Sequence, residues 1–198
     1  MRKFALILSV CAVALFANLA HAQQIDFAFG AGELYSTQNL NASQVYLPPA
    51  EKGGFYPSFT IDRIYASRIG YGAEISTVYK DQFYNGYQQF RPFIYDVNGV
   101  YAPRVAKRMS AFLTAGVGGQ SILFYNTYGS CSSPTGCANK VNSSQFLMHL
   151  SGGLRYNLWR GFFVRPEANY YRIVNNNDFH SGNVLRLGVS IGYSIARE

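Results

Sequence analysis

Apolar and polar residues alternate with a period of two along several long segments of the chain. In residues 183–195, for example, Leu185, Leu187 and Val189 share one face, while Arg186 and Ser190 lie on the other. Sustained alternation of this kind is typical of a β-strand. The segments are longer than the ~5–6 residues of an average strand and match the ~9–11 residues with which a tilted strand crosses a bilayer. The pattern therefore predicts strands that span a membrane.

Eight segments carry this alternation, and short and long connections follow one another between them. The predicted strands cover residues 25–34, 54–64, 69–80, 90–102, 109–125, 144–158, 161–173 and 183–195. The connections are short at 65–68, 103–108 and 159–160, and longer at 35–53, 81–89, 126–143 and 174–182. An even-stranded antiparallel barrel with short periplasmic turns and long outer loops has this arrangement. Both termini then lie on the short-turn side.

The two faces of the predicted strands differ in polarity. One face is almost continuously Leu, Ile, Val, Phe, Tyr and Ala, with aromatic residues near the strand ends, as in the girdles at two membrane interfaces. The other face holds small polar residues and, in mid-strand, the charged or titratable residues Asp26, Asp62, Glu74, Asp96, His149, Arg155, Arg165, Glu167 and Arg186. Such groups are costly in a soluble core but can pair across the lumen of a small barrel.

These faces predict an all-β fold, an eight-stranded antiparallel transmembrane β-barrel, with an exported, soluble lipocalin-like barrel as the alternative. Composition agrees, because charged residues make up only 14% of the 198 residues, against roughly 25% in an ordinary soluble domain. Aromatic residues reach 16%, which is too many for a disordered chain. An eight-stranded barrel is just wide enough to be filled by side chains, so no wide pore is expected.

The N-terminal residues predict export. Arg2 and Lys3 precede an apolar run over residues 4–17, and Ala20-His21-Ala22 follows as a small-x-small cleavage site, the pattern of a cleaved signal peptide. The run is shorter than the ~20 residues of a spanning helix. We therefore expect a signal peptide over residues 1–22, a barrel domain over residues 23–198, and a location in the bacterial outer membrane.

Two cysteines, Cys131 and Cys137, remain once the signal peptide is removed. A Pro and a Gly lie between them and favour a tight turn, and an exported chain meets an oxidising compartment. The sequence therefore predicts a disulfide. Two thiols with no nearby His or third Cys do not fill a tetrahedral metal site, so no metal is expected, and no cofactor is indicated.

The chain resembles the small OmpA/OmpX-type eight-stranded outer-membrane β-barrels. The stretches that carry the resemblance are Ile69-Gly-Tyr-Gly-Ala-Glu-Ile75, Leu113-Thr-Ala-Gly-Val-Gly-Gly119 and Leu185-Arg-Leu-Gly-Val-Ser-Ile-Gly-Tyr193, and it covers nearly all of residues 23–198. It implies a structural or surface-interaction role and a lumen plugged by ion pairs, with a narrow ion path along the same charged residues as the alternative. It also implies contact with outer-membrane lipid, with lipopolysaccharide and with the barrel assembly machinery, for which Tyr193 is the candidate aromatic signal. The outer loops are the candidate site for an unidentified ligand, and nothing indicates a nucleic-acid partner.

One fragment raises an enzymatic alternative. His149-Leu-Ser151 resembles the His-x-Ser of the outer-membrane lipid A deacylases, which are also eight-stranded barrels. A His and a Ser two positions apart on a strand point the same way and can share a hydrogen bond, and Glu167 is the nearby acid. That family places an Asn after the Ser and an acid further on, where Gly152 and Phe163 stand here. We therefore expect no enzymatic activity, and His149, Ser151 and Glu167 are the catalytic candidates of the alternative.

Overall fold

The protein is described by a computed structural model that covers residues 24–36, 53–84, 88–125, 140–174, 176, 178–179 and 182–196. The predicted signal peptide and the predicted disulfide between Cys131 and Cys137 lie outside these residues. The strands are β1 (Gln24–Ser36), β2 (Phe55–Ile64), β3 (Ile69–Thr77), β4 (Gln82–Tyr84), β5 (Gln88–Tyr101), β6 (Arg104–Ala106), β7 (Met109–Tyr125), β8 (Lys140–Trp159), β9 (Phe162–Val174) and β10 (Asn183–Ala196). Within the covered ranges, no helix is long and apolar enough to cross a membrane.

Eight of these strands close into an antiparallel barrel. They pair in the order β5, β3, β2, β1, β10, β9, β8, β7, and β7 returns to β5. The closing pair runs in register from Gln89 with Tyr125 to Tyr101 with Leu113. Closure gives each of the eight strands two neighbours, which satisfies the backbone polar groups where no water is available. The predicted eight-stranded antiparallel barrel is confirmed.

The observed strands differ from the predicted ones mainly at the loop end. β4 lies inside the predicted connection 81–89, β6 lies inside the predicted turn 103–108, and β8 begins at Lys140 instead of residue 144. β3 pairs with β5 only as far as Thr77 with Phe93. Beyond that level β4, β5, β7 and β8 continue as an outer sheet. Periodicity did not predict residues 140–143 of β8, because Asn142 and Ser143 are polar on both faces.

The short connections are tight hairpins. Arg160 and Gly161 join β8 to β9 with φ values of 46° and 88°, and positive φ at both central residues is the signature of a type I′ turn. In the turn between β2 and β3, the Arg68 amide donates to the Tyr65 carbonyl at 3.0 Å, and Arg68 has a φ of 66°. These turns set the register of their hairpins and hence the side of the wall that each side chain faces.

The outer wall of the barrel is apolar. Its middle carries exposed Val97, Leu150 and Ile191, and its two ends carry exposed aromatic rings: Phe55, Tyr79, Phe146 and Tyr170 at the loop end, and Tyr101, Tyr156, Phe162 and Tyr193 at the turn end. A soluble barrel does not present a continuous apolar wall to water, and an apolar band between aromatic girdles is the surface of a transmembrane barrel. The soluble, lipocalin-like alternative is therefore wrong.

The membrane position of this wall is testable with two outward residues of β10. Val189 lies mid-strand and Ile195 near the turn end, with exposed fractions of 50% and 52%. Val189→Arg is expected to lower the free energy of unfolding in lipid vesicles by about 2–4 kcal/mol, and Ile195→Arg by about 0–1 kcal/mol, because the cost of a lipid-facing charge depends on its depth. Urea titration of both variants checks this. Equal losses would mean that the apolar wall is not in hydrocarbon.

Candidate functional site

The structure brings the charged residues named from the sequence together inside the barrel. The side chains of all nine are at most 6% exposed: Asp26, Asp62, Glu74, Asp96, His149, Arg155, Arg165, Glu167 and Arg186. Five carboxylates face three guanidinium groups and one imidazole ring. Because unpaired charges are expensive in such a place, the partners of each group decide what the interior can do.

Arg155 and Asp26 form a pair near the turn end. The Nη1 group of Arg155 donates to Oδ2 of Asp26, and its Nε group donates to Oδ1 of Asn157 at 3.2 Å. Gln24 Nε2 lies 2.9 Å from both carboxylate oxygens of Asp26. The guanidinium of Arg155 stacks 4.1 Å from the ring centroid of Phe163. The carboxylate and the guanidinium are thus both held by further polar or aromatic groups.

Arg165 bridges two acids at the next level. Its Nη1 group donates to Oδ2 of Asp62 at 3.0 Å, and its Nε group donates to Oε2 of Glu167 at 2.8 Å. Ser190 Oγ donates to the other oxygen of Glu167 at 3.0 Å. The guanidinium lies 4.1 Å from the ring centroid of Phe112, so an aromatic face covers it on the turn side.

Arg186 compensates the acids at the centre of the barrel. Its Nη2 group donates to Oε1 of Glu74 and lies 3.5 Å from Oε1 of Glu167. Glu74 and Asp96 are directly opposite each other on β3 and β5, and like charges in that position repel. Each of these two acids therefore needs its own cation, and Arg186 serves Glu74.

His149 lies beside the second of these acids. Its Nδ1 atom is 3.2 Å from Oδ1 of Asp96 and 3.0 Å from Oδ1 of Asn98, and its Nε2 atom is 3.1 Å from Oδ1 of Asn169. Its ring stacks on Tyr171 with centroids 4.6 Å apart. Both ring nitrogens thus face oxygen acceptors, the arrangement in which a protonated imidazole donates two hydrogen bonds.

The catalytic candidates have other partners than the deacylase-like alternative requires. Ser151 Oγ is 2.6 Å from Oγ1 of Thr114, Glu167 bonds Arg165, and the acid next to His149 is Asp96. The nucleophile–base contact of covalent catalysis is replaced by a hydrogen bond between two hydroxyls. Sequence spacing did not reveal Asp96 because it is 53 residues from His149 and arrives through barrel closure.

Apolar clusters lie on both sides of the charged layer, which the sequence analysis missed. The turn-end cluster consists of Ile64, Val100, Ala102 and Phe112, and the loop-end cluster of Leu34, Tyr56, Val78, Ile94, Leu147, Tyr171, Ile173 and Val184. Their members share the inward parity of the charged residues. That shared parity was the one sequence signal from which the clusters could have been predicted. An ion moving through the lumen would have to cross both apolar layers, so the arrangement suits a filled interior instead of a path.

The pairing of Arg155 with Asp26 can be tested by replacing one of the two partners. Arg155→Met is expected to lower the free energy of unfolding by about 3–5 kcal/mol, because it leaves a buried carboxylate without its cation. The double variant Arg155→Met, Asp26→Asn should recover part of this loss, since the charge is then removed as well. Urea midpoints in one vesicle composition measure both. An unchanged midpoint in Arg155→Met would mean that water solvates the pair.

Comparison with known proteins supports the fold at low sequence identity. No family model and no curated protein matches the chain. Among solved structures, Neisserial surface protein A matches with a TM-score of 0.64 and 10% identity, over 85% of this chain and 96% of that chain. Ail of Yersinia pestis, in complex with the heparin analogue sucrose octasulfate, has a TM-score of 0.58 and 13% identity over 87% and 98%. OprG of Pseudomonas aeruginosa has a TM-score of 0.55 and 11% identity over 89% and 98%. The chain therefore has the fold of the small bacterial outer-membrane β-barrels that its sequence resembles.

Proposed function

We propose that the protein is an integral outer-membrane β-barrel with a structural or surface-interaction role and a closed lumen. The observation that carries the proposal is the interior, where ion-paired groups fill the space between the turn-end and loop-end apolar clusters. An interior of this width has room for side chains and little else. The side chains that fill the interior also argue against a diffusion pore.

The ion pairs tie together strands that are not neighbours. The pair of Arg155 and Asp26 joins β8 to β1, that of Arg165 and Asp62 joins β9 to β2, and Arg186 with Glu74 joins β10 to β3. In the barrel order two other strands lie between the partners in each case. Each pair therefore braces the wall across the lumen, which is what a structural role in the membrane requires.

The outer sheet is the part suited to surface interaction. Its outward face carries polar side chains beyond the loop-end aromatic rings, among them Ser121, whose Oγ donates to Oδ1 of Asn142 at 2.7 Å. Its inward face carries Phe90, Ile122 and Phe124, which Phe179 from the connection between β9 and β10 covers. Among the described residues, β8 continues past the end of its pairing with β9 at Phe146 and Val174, and it pairs with β7 as far as Lys140 with Tyr125.

The remaining partners follow from the location. Lipopolysaccharide would surround the loop-end half of the wall, and the assembly machinery would recognise the end of β10. Tyr193 supports the latter role, because it is an exposed aromatic residue near the end of that strand and packs edge-on against Phe162 with centroids 5.1 Å apart. An enzymatic function is not proposed, because His149 and Ser151 are committed to Asp96 and Thr114.

Conductance of the purified barrel in planar bilayers tests the closed lumen. We expect no unitary current steps from the wild-type protein, because ions would have to enter two apolar layers. Glu74→Gln is the diagnostic variant, since Glu74 lies at the centre of the charged interior. Steady steps in the wild type whose cation selectivity falls in Glu74→Gln would contradict the proposal and assign an ion path to the lumen.

A further inference from the structure

The turn end of the barrel carries a row of basic side chains. The turns that join β2 to β3, β5 to β7 and β8 to β9 lie side by side, because these six strands are consecutive around the barrel. Arg68 is half-buried, and the other basic residues of these turns are exposed. Each turn therefore contributes at least one cation to the same rim. The five residues, here called the turn-side cations, are Arg68, Arg104, Lys107, Arg108 and Arg160.

Among the described residues, no acid lies outside the lumen at this end. The described acids outside the lumen are Glu33, Asp81 and Asp178, and all three lie at the loop end. There Asp81 pairs with Arg91 at 2.8 Å, so the loop end has charges of both signs. The described part of the turn end therefore has a positive surface, and it offers the turn-side cations no carboxylate partner.

Backbone hydrogen bonds fix these turns relative to one another. The Asn157 amide donates to the Arg108 carbonyl at 2.8 Å, which ties the turn after β5 to β8. The Ala102 amide donates to the Arg68 carbonyl at 2.8 Å, which ties the turn after β2 to the end of β5. The turn-side cations thus belong to one connected rim and not to three independent loops.

The turn-side cations lie at the depth of lipid headgroups. Arg104 follows the girdle residue Tyr101 by three positions, and Arg160 precedes the girdle residue Phe162 by two. At about 3.3 Å per residue, neither lies more than about 10 Å beyond the girdle. The headgroup layer on one side of a bilayer is about 5–8 Å thick, and aromatic girdles mark its level. Long basic side chains on this rim can therefore reach the lipid phosphate groups.

Two apolar side chains are exposed among these cations. Trp159 and Val105 are 65% and 64% exposed, and the guanidinium of Arg160 lies 4.7 Å from the centroid of the Trp159 ring. Tryptophan is enriched at membrane interfaces, because its ring is apolar and its N–H group is polar. A soluble anionic polymer would bind the cations and leave Trp159 and Val105 in water, whereas a membrane interface covers them. This combination favours lipid as the partner.

We propose that the turn-side cations bind the headgroups of anionic phospholipids in the turn-side leaflet. Basic residues next to a membrane attract anionic headgroups, and the rim presents its cations at headgroup depth around three adjacent turns. The mixed charges of the loop end give no such preference to the other leaflet. The proposal rests on the proposed location of the barrel in a membrane, and it is independent of the closed lumen and of the outer sheet.

The fluorescence of Trp159 reports on the lipids at this rim, because Trp159 is the only tryptophan of the chain. The barrel is placed in phosphatidylcholine vesicles that contain a fixed fraction of phosphatidylglycerol or phosphatidylcholine with acyl chains brominated near the headgroup. Bromine quenches tryptophan at short range. We expect brominated phosphatidylglycerol to quench Trp159 more strongly than the same fraction of brominated phosphatidylcholine. Added salt should reduce the difference, since it screens exposed charges.

The double variant Arg108→Gln, Arg160→Asn tests the role of the cations. Asn suits the positive φ at position 160, where it precedes Gly161 in the type I′ turn, and the Arg108 carbonyl still accepts from Asn157. The preference for phosphatidylglycerol, expressed as a ratio of association constants, should fall by up to about fivefold for each cation removed. Arg160→Lys should retain most of it, because the charge remains.

Lys140→Gln, Arg172→Gln is the matched control, since it removes the same charge from exposed residues at the loop end. It should keep the wild-type preference, and resistance of each variant to cold detergent, read as gel mobility, verifies folding. The proposal is overturned if the two brominated lipids quench the wild type equally, or if the two double variants behave alike. It is also overturned if sodium phosphate abolishes the preference at an ionic strength at which sodium chloride does not, because the cations would then bind a soluble anion. Quenching by neither lipid would contradict the membrane location itself.

Discussion

The rest of the structure depends on the pairing of β5 with β7. Inside hydrocarbon, a backbone amide or carbonyl without a partner costs several kcal/mol, so a sheet can cross a membrane only when it closes on itself. The register from Gln89 with Tyr125 to Tyr101 with Leu113 achieves that closure. Once the sheet is closed, every strand has one face toward lipid and one toward the lumen. The alternation of side chains therefore becomes a division between an apolar outer wall and an interior that must satisfy its own charges.

The charged residues of the interior find their partners across the lumen instead of along the wall. Arg155, Arg165 and Arg186 each reach an acid on a distant strand, and aromatic rings cover the first two guanidinium groups. Buried pairs of this kind add little net stability compared with apolar packing, but breaking one is expensive. The charged layer thus ties distant strands together, and an apolar cluster lies at each end of it. Because the interior is filled, other molecules can contact the barrel at three surfaces: the outer sheet, the turns and the lipid-facing wall.

The sequence predicted the parts of this fold that depend on a period of two. The eight strands, the apolar wall and the nine inward charged residues all follow from alternation, because closure gives every strand the same two environments. The depth of an inward residue does not follow from parity, which is why Leu34 and Tyr56 were not recognised as a cluster beyond the charges. Contacts across the lumen, such as that of Asp96 with His149, depend on register and strand tilt together. β4 and residues 140–143 of β8 were not predicted, because they lie beyond the apolar wall and polar residues such as Asn142 and Ser143 carry no apolar signal.

The division between lipid-facing and inward side chains can be measured most directly on one strand. Leu147 and Leu150 are three residues apart on β8, and their exposed fractions are 0% and 59%. In nanodiscs, nuclear Overhauser contacts from selectively labelled leucine methyl groups report whether acyl chains touch each side chain. We expect strong contacts between lipid methylene groups and the methyl groups of Leu150, and none for Leu147. Lipid contacts at Leu147, or water contacts at Leu150, would contradict the membrane-spanning barrel and the interior assigned to it.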